Sequence, residues 1–305
     1  MSRPRSFRPS AVTAVVAVSL LALAGCGSGY SSSGGAGASS SAAQGSAAPL
    51  FDQLPEKYRQ SKKIVVGSDI AYAPMEYYDT DGTTVLGLDK DLTDALSKQL
   101  GVSFEWNNAT FDGLITQLKS NRIDVAISGM SDTPERQREV DFVDYYQAGA
   151  MLLVKKGNPE GLKSMADLCG QTVAVQRGTT QEGYAQEQSK TCESDGKKPI
   201  DLLSFDRETE AMLQVKSGRA DSGMQDYPVA AYNARTSGGG KDFEVAGEQI
   251  QAGPLGIAVS KDNAELRDAL QKAVQAVIDD GTYEEILKKY DVPLGAVDEA
   301  TVNGG

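Results

Sequence analysis

"KSNRIDVAISGM" (residues 119–130) and "KSGRADSGMQD" (residues 216–226) share the pattern Lys-Ser-x-Arg-x-Asp. Each ends a helical pattern and enters a strand pattern. Helix-ending residues resemble one another by chance, but at face value the repeat describes two lobes of similar α/β design. Upstream of the first copy, Lys63-Ile64-Val65-Val66 reads as a short buried strand, and Tyr77-Tyr78 and Thr83-Thr84-Val85 flank a hairpin turn, "DTDG". Leu88, Leu92, Ala95, Leu96 and Leu100 keep helical spacing, and Gly101 stands where a C-cap glycine belongs. A strand at 102–106, a helix marked by Phe111, Leu114, Ile115 and Leu118, and a strand at 123–127 complete the block.

Around the second copy, 172–175 and 202–205 read as strands, and helices open at Thr179-Thr180 and Glu208. The chain then returns to the first pattern. A strand at 255–259 precedes a helix capped by Asn263, and Thr282 with Glu285 forms a capping box for a last helix through Tyr290. The expected organisation is lobe 1 over 61–152 and 251–292, lobe 2 over 153–250, and a polar tail, 293–305, that frays.

The N-terminus is of another kind. Arg3, Arg5 and Arg8 precede an apolar run, Ala11 to Leu23, that is short for a membrane span, and Leu23-Ala24-Gly25-Cys26 follows. Residues 1–25 are expected to be a signal peptide. The Leu-Ala-Gly-Cys ending resembles the lipobox of bacterial lipoproteins, which implies lipidation at Cys26. A Ser/Gly/Ala-rich tether is expected over 26–60, since such a composition cannot bury a core. Cys169 and Cys192 remain, and in an exported chain such a pair is expected to oxidise, the alternative being two free thiols.

Composition narrows the chemistry. The net charge is −12, which disfavours nucleic acid as a partner. The chain has no histidine, so Ser-His-Asp and Cys-His catalysis and the usual zinc sites cannot be built. No cofactor and no metal are expected.

In open α/β sheets ligands bind beyond the carboxyl ends of strands, and four segments lie there. "GSDIAYAPMEYY" offers Asp69 and Tyr72, though its aromatics would also serve as local packing. "SGMSDTPERQ" (128–137) offers Ser128, Gly129, Met130, Ser131 and Arg136. Its Thr133-Pro134 reads as an N-cap and first helical residue, which puts Arg136 at the positive end of a helix dipole, where acids are preferred. "VQRGTTQEGY" offers Arg177, Gly178, Thr179 and Thr180 at a helix start, a place that suits an anion. "GMQDYP" offers Asp226, either a turn aspartate or an acceptor for an ammonium group. An arginine with a helix N-terminus, an aspartate, and a wall of Tyr72, Phe111 and Met130 together complement a zwitterionic α-amino acid held between two lobes.

These segments resemble the bacterial extracellular solute-binding proteins of family 3, which serve ABC importers of polar amino acids. The likeness lies in "GLDKDLTDALSKQLG", "DVAISGMSDTPERQREVDF", "VAVQRGTTQEGYA" and "DGTYEEILKKY", and spans about residues 60–292. It implies a two-lobed periplasmic-binding-protein-like fold of type II, each lobe a mostly parallel sheet flanked by helices, joined by a hinge. It also implies that Arg136, with Ser131 and Thr180, binds the ligand carboxylate and that Asp226 binds its ammonium. Tyr72 and Phe111 would sandwich the side chain, with Asp69 at its distal end. Met75 and Arg177 depart from the family's usual residues. Arg177 points to an acidic ligand and Asp69 to an amide or a cation. The cysteine pair would staple lobe 2. The resulting expectation is a monomeric, lipid-anchored, extracytoplasmic binding protein that delivers an amino acid to an ABC permease. The alternatives are a dehydratase-like enzyme using Asp69 and Glu76, and a lipid-anchored amino-acid sensor.

Overall fold

A computed structural model describes residues 48–305. The expected signal peptide (1–25), the expected lipidation site Cys26 and the expected tether up to residue 47 lie outside the described residues. The tether was expected to run to residue 60, and there the structure differs. A 3-10 turn (Phe51–Gln53) leads into α1 (Glu56–Ser61), whose Tyr58 is buried. Its hydroxyl donates to Asp124 Oδ1 at 2.9 Å and accepts from Asn263 Nδ2 at 2.7 Å. A satisfied aromatic anchor of this kind is what a Ser/Gly/Ala stretch lacks.

The first block builds β1 (Lys63–Ser68), β2 (Ala71–Tyr72), β3 (Glu76–Tyr78), β4 (Val85–Leu86), α2 (Leu88–Leu100), β5 (Ser103–Asn108), α3 (Leu114–Lys119) and β6 (Val125–Ala126). Leu88, Leu92, Leu96 and Leu100 bury one face of α2, and Gly101, at φ 67°, ends it in the left-handed region. After β7 (Val140–Lys155) come β8 (Thr172–Gln176), α4 (Thr180–Ser194), β9 (Asp201–Phe205), α5 (Glu208–Ser217), β10 (Ser222–Asp226) and α6 (Tyr227–Thr236). The return is β11 (Phe243–Ser260), α7 (Ala264–Asp279) and α8 (Thr282–Tyr290).

The main sheet has the order β5-β1-β6-β11-β7-β10-β8-β9. Its outer trios, β5-β1-β6 and β10-β8-β9, are parallel. Between them β7 and β11 run antiparallel, carrying the chain from lobe 1 to lobe 2 and back, with register breaks between Ala246 and Ile250, Ile250 and Gly253, and Leu255 and Gly256. The expected lobe boundaries at 152 and 250 fall inside these two strands. β7 is buried on both faces along nearly its whole length, so it lacks the alternation that marks a strand in sequence.

The repeat has a structural counterpart. Asp124 Oδ2 accepts from Val65 N at 2.8 Å, and Asp221 Oδ2 accepts from Thr172 N at 2.7 Å. Each aspartate pins the entry to one strand onto the first residues of its parallel neighbour.

Three local expectations are corrected. Residues 133–139 do not form a helix but a 3-10 turn, Arg136–Arg138, with Thr133 Oγ1 accepting from Arg136 N at 3.2 Å. Thr282 does not cap α8; the N-cap is Gly281, at φ 83°, whose carbonyl accepts from Glu285 N. The tail does not fray. Val302 bridges to Val143, and Asn303 Oδ1 accepts from Phe142 N at 2.8 Å. Thr301 Oγ1 and Gly304 N donate to Asp144, so the tail supplies partners that a buried carboxylate on β7 needs. In lobe 2, Cys169 and Cys192 are joined by a disulfide that ties the segment before β8 to α4.

Candidate functional site

The strand ends of both lobes converge on a narrow cleft. The end of β1 delivers Asp69, β2 delivers Tyr72, and the segment after β6 delivers Ser128, Gly129, Ser131 and Arg136. Phe111 comes from the turn before α3. From lobe 2, β8 and the start of α4 bring Gln176, Thr179, Thr180 and Gln181, and β10 ends on Asp226.

Arg136 Nη1 donates to Ser131 O at 2.8 Å, and Nη2 donates across the cleft to Gly178 O at 3.0 Å. Its guanidinium carbon lies 5.3 Å from the Phe111 ring centroid. Although part of its surface is exposed, desolvation holds its pKa below the usual arginine value, with Asp226 pulling the other way. Among the described residues no carboxylate lies within 4.0 Å of its nitrogens. A guanidinium carries five N–H donors, and two carbonyls leave most of that capacity for an anion.

Asp226 faces it from lobe 2. Its Oδ2 accepts from the Tyr72 hydroxyl at 2.9 Å, and that hydroxyl accepts from Asp226 N at 2.9 Å. Its Oδ1 accepts from Gln181 Nε2 at 2.9 Å. Burial pushes its pKa up to about 6, against the pull of Tyr72, Arg136 and Gln181. The carboxylate has neutral donors and, among the described residues, no ion-pair partner.

Behind this pair the cleft floor is built on acids. Ser128 Oγ donates to Glu76 Oε1 at 2.8 Å and accepts from Asp69 N at 3.0 Å. Gly129 N donates to Asp89 Oδ2 at 3.4 Å, and the Tyr145 hydroxyl donates to Asp89 Oδ1 at 2.7 Å. Gly129 adopts φ 52°, and a Cβ there would stand 3.1 Å from the Tyr72 ring, so backbone and space both call for glycine. Glu76 and Asp89 are fully buried side by side; burial raises both pKa values, Asp89 to about 6.

The distal end holds Asp69, which is 2% exposed. Its Oδ1 is ion-paired with Arg207, and its Oδ2 accepts from Gln176 Nε2. Arg207, Gln176 and Gln181 were not singled out from sequence. The strand-end rule would have found Arg207, because it follows β9, a fifth strand end. Gln176 is the inward-facing last residue of β8.

Several expected positions fall elsewhere. Met130 does not wall the cleft; it is buried in the lobe 1 core among Leu114, Phe142 and Ala258. Arg177 points outward and pairs with Asp206 at 3.2 Å, so its hint of an acidic ligand lapses. Gly178 contributes its carbonyl to Arg136, and its own N–H donates to Glu182 Oε2 at 2.7 Å. Thr179 is the α4 N-cap, accepting from Glu182 N at 3.2 Å, while Thr180 Oγ1 lies 3.4 Å from Ser131 Oγ across the cleft.

The family model for bacterial extracellular solute-binding proteins, family 3, matches residues 64–292. The chain is 32% identical to the arginine-binding protein of Corynebacterium glutamicum over 82% of its own length and 81% of that protein's. It is 34% identical to the lysine/arginine/ornithine-binding periplasmic protein of Escherichia coli, covering 80% of this chain and 91% of that one. An ancestral arginine-binding protein solved with glutamine superposes with a TM-score of 0.67 at 38% identity, covering 76% and 98% of the two chains.

Proposed function

The chain belongs to family 3 of the bacterial extracellular solute-binding proteins, as the amino-acid-binding component of an ABC importer, and from that premise we propose that its ligand is a free α-amino acid whose side chain ends in N–H groups, such as arginine or glutamine. The observation that carries this reading is the facing pair of Arg136 and Asp226. Each is largely withdrawn from water, each comes from a different lobe, and neither has an ion-pair partner among the described residues. A zwitterion supplies both missing partners at once, its carboxylate to the guanidinium and the first N–H groups of α4, its ammonium to Asp226. The side chain then runs between Tyr72 and Phe111 toward Asp69, whose oxygens already accept from Arg207 and Gln176 and keep lone pairs for a further N–H donor.

Catalysis is not part of this reading. Asp69 is committed to Arg207 and Gln176, and Glu76 lies sealed beneath Ser128. Neither is placed to exchange a proton with a substrate in the cleft. We further infer that Cys26 carries a lipid and that the body works as a monomer at the outer face of the membrane, delivering its ligand to a permease.

The test is a thermal-shift screen on protein denatured and refolded to strip carried-over ligand. Arginine or glutamine should raise the Tm by several degrees, because a ligand bound by the native state alone stabilises it. Agmatine, which is arginine without its carboxylate, should not. An equal shift from agmatine would remove Arg136 from the account.

A further inference from the structure

We propose that Arg207 is a specificity-determining residue, whose ion pair with Asp69 at the distal end of the cleft selects against side chains ending in a full positive charge and favours uncharged N–H groups such as a carboxamide. This rests on the preceding reading of how the ligand lies in the cleft.

Asp69 is the acidic side chain that lines the distal end, yet it is not free to take a cation. Both oxygens are engaged from lobe 2, Oδ1 by the Arg207 guanidinium and Oδ2 by the Gln176 amide. Arg207 is also gripped from lobe 1, its Nη1 donating to Asn108 Oδ1 at 3.0 Å and to Ala109 O at 3.1 Å. Its own backbone is fixed as the N-cap of α5, with Arg207 N donating to Glu210 Oε2 at 3.3 Å. A cation at the positive end of a helix is unfavourable on local grounds, and Asp69 supplies the compensating charge.

Arg207 thereby offsets the charge of Asp69, near which Asp112 is a further acid. The neighbouring acid, Glu208, is buried and accepts from Gln225 Nε2. Burial pushes its pKa up to about 8, so near neutral pH it adds little negative charge. An arriving guanidinium or ammonium would meet a carboxylate already paired with one cation. A carboxamide loses much less, since it is uncharged and a carboxylate has lone pairs left for its N–H.

The plain alternative is a clamp that helps the lobes close on every ligand equally. Calorimetry on refolded, ligand-stripped full-length protein separates the two. Arg207→Met should raise the ratio Kd(glutamine)/Kd(arginine) at least tenfold over the unmodified protein, and Arg207→Lys should restore most of the original ratio. If Arg207→Met does not fold, Arg207→Gln, which keeps a donor for Asn108, reads the same ratio. A common factor of weakening for both ligands, or a fall in the ratio, would overturn the proposal. Failure of the underlying reading looks different: neither amino acid binds the unmodified protein at all.

Discussion

At the scale of single residues, the chain places two arginines where local structure gives them little reason to be. Arg136 was expected to offend a helix dipole. The 3-10 turn that actually holds it carries almost none, so its cost lies in desolvation, met in part by two carbonyls and the Phe111 face. Arg136→Met should therefore weaken binding of the amino acid by roughly 2–5 kcal/mol. It should leave the ligand-free Tm unchanged or slightly raised, because a desolvated charge is removed. Calorimetry and a melting curve on the same sample check both halves. That Arg136 faces the cleft was legible from sequence because it stands beside Ser, Gly and Ser just past a strand end. The place of Arg207 at a strand end was legible by the same rule, but its pairing with Asp69 was not, because the two residues lie far apart in sequence and meet only across the cleft.

At the scale of elements, helices with a clear apolar face and capping glycine were readable almost to their ends, α2 above all. The element starting at Glu208 was readable too, but the burial of that first residue was not. A glutamate in the first turn is ordinarily favourable, yet here the sheet covers it. Its folded pKa of about 8 stands above the ordinary glutamate value of 4.5, so its contribution to stability is full below pH 4.5 and is lost as pH rises through about 8. Glu208→Gln removes this dependence. Urea unfolding at pH 6 and pH 9 should show the unmodified protein losing more stability than the variant over that interval, by on the order of a few kcal/mol. Equal losses would place the proton elsewhere.

At the scale of the whole molecule, lobe 2 is held to a design that the Lys-Ser-x-Arg-x-Asp repeat had announced, and the disulfide closes it further. Replacing Cys169 and Cys192 by serine should lower stability by about 3 kcal/mol in denaturant titrations. Affinity for the amino acid should not change, since neither sulfur lines the cleft. The two-lobed plan, most helices, the disulfide partners and the four segments facing the cleft follow from the sequence itself, because periodicity, capping and strand-end chemistry are local signals. The paired central strands, the docking of α1 and the tail, and the partners of Asp69 were decided by tertiary structure. A strand buried on both faces shows no alternation, a buried carboxylate takes donors from wherever the chain passes, and a charge at a lobe surface has no partner until the other lobe arrives.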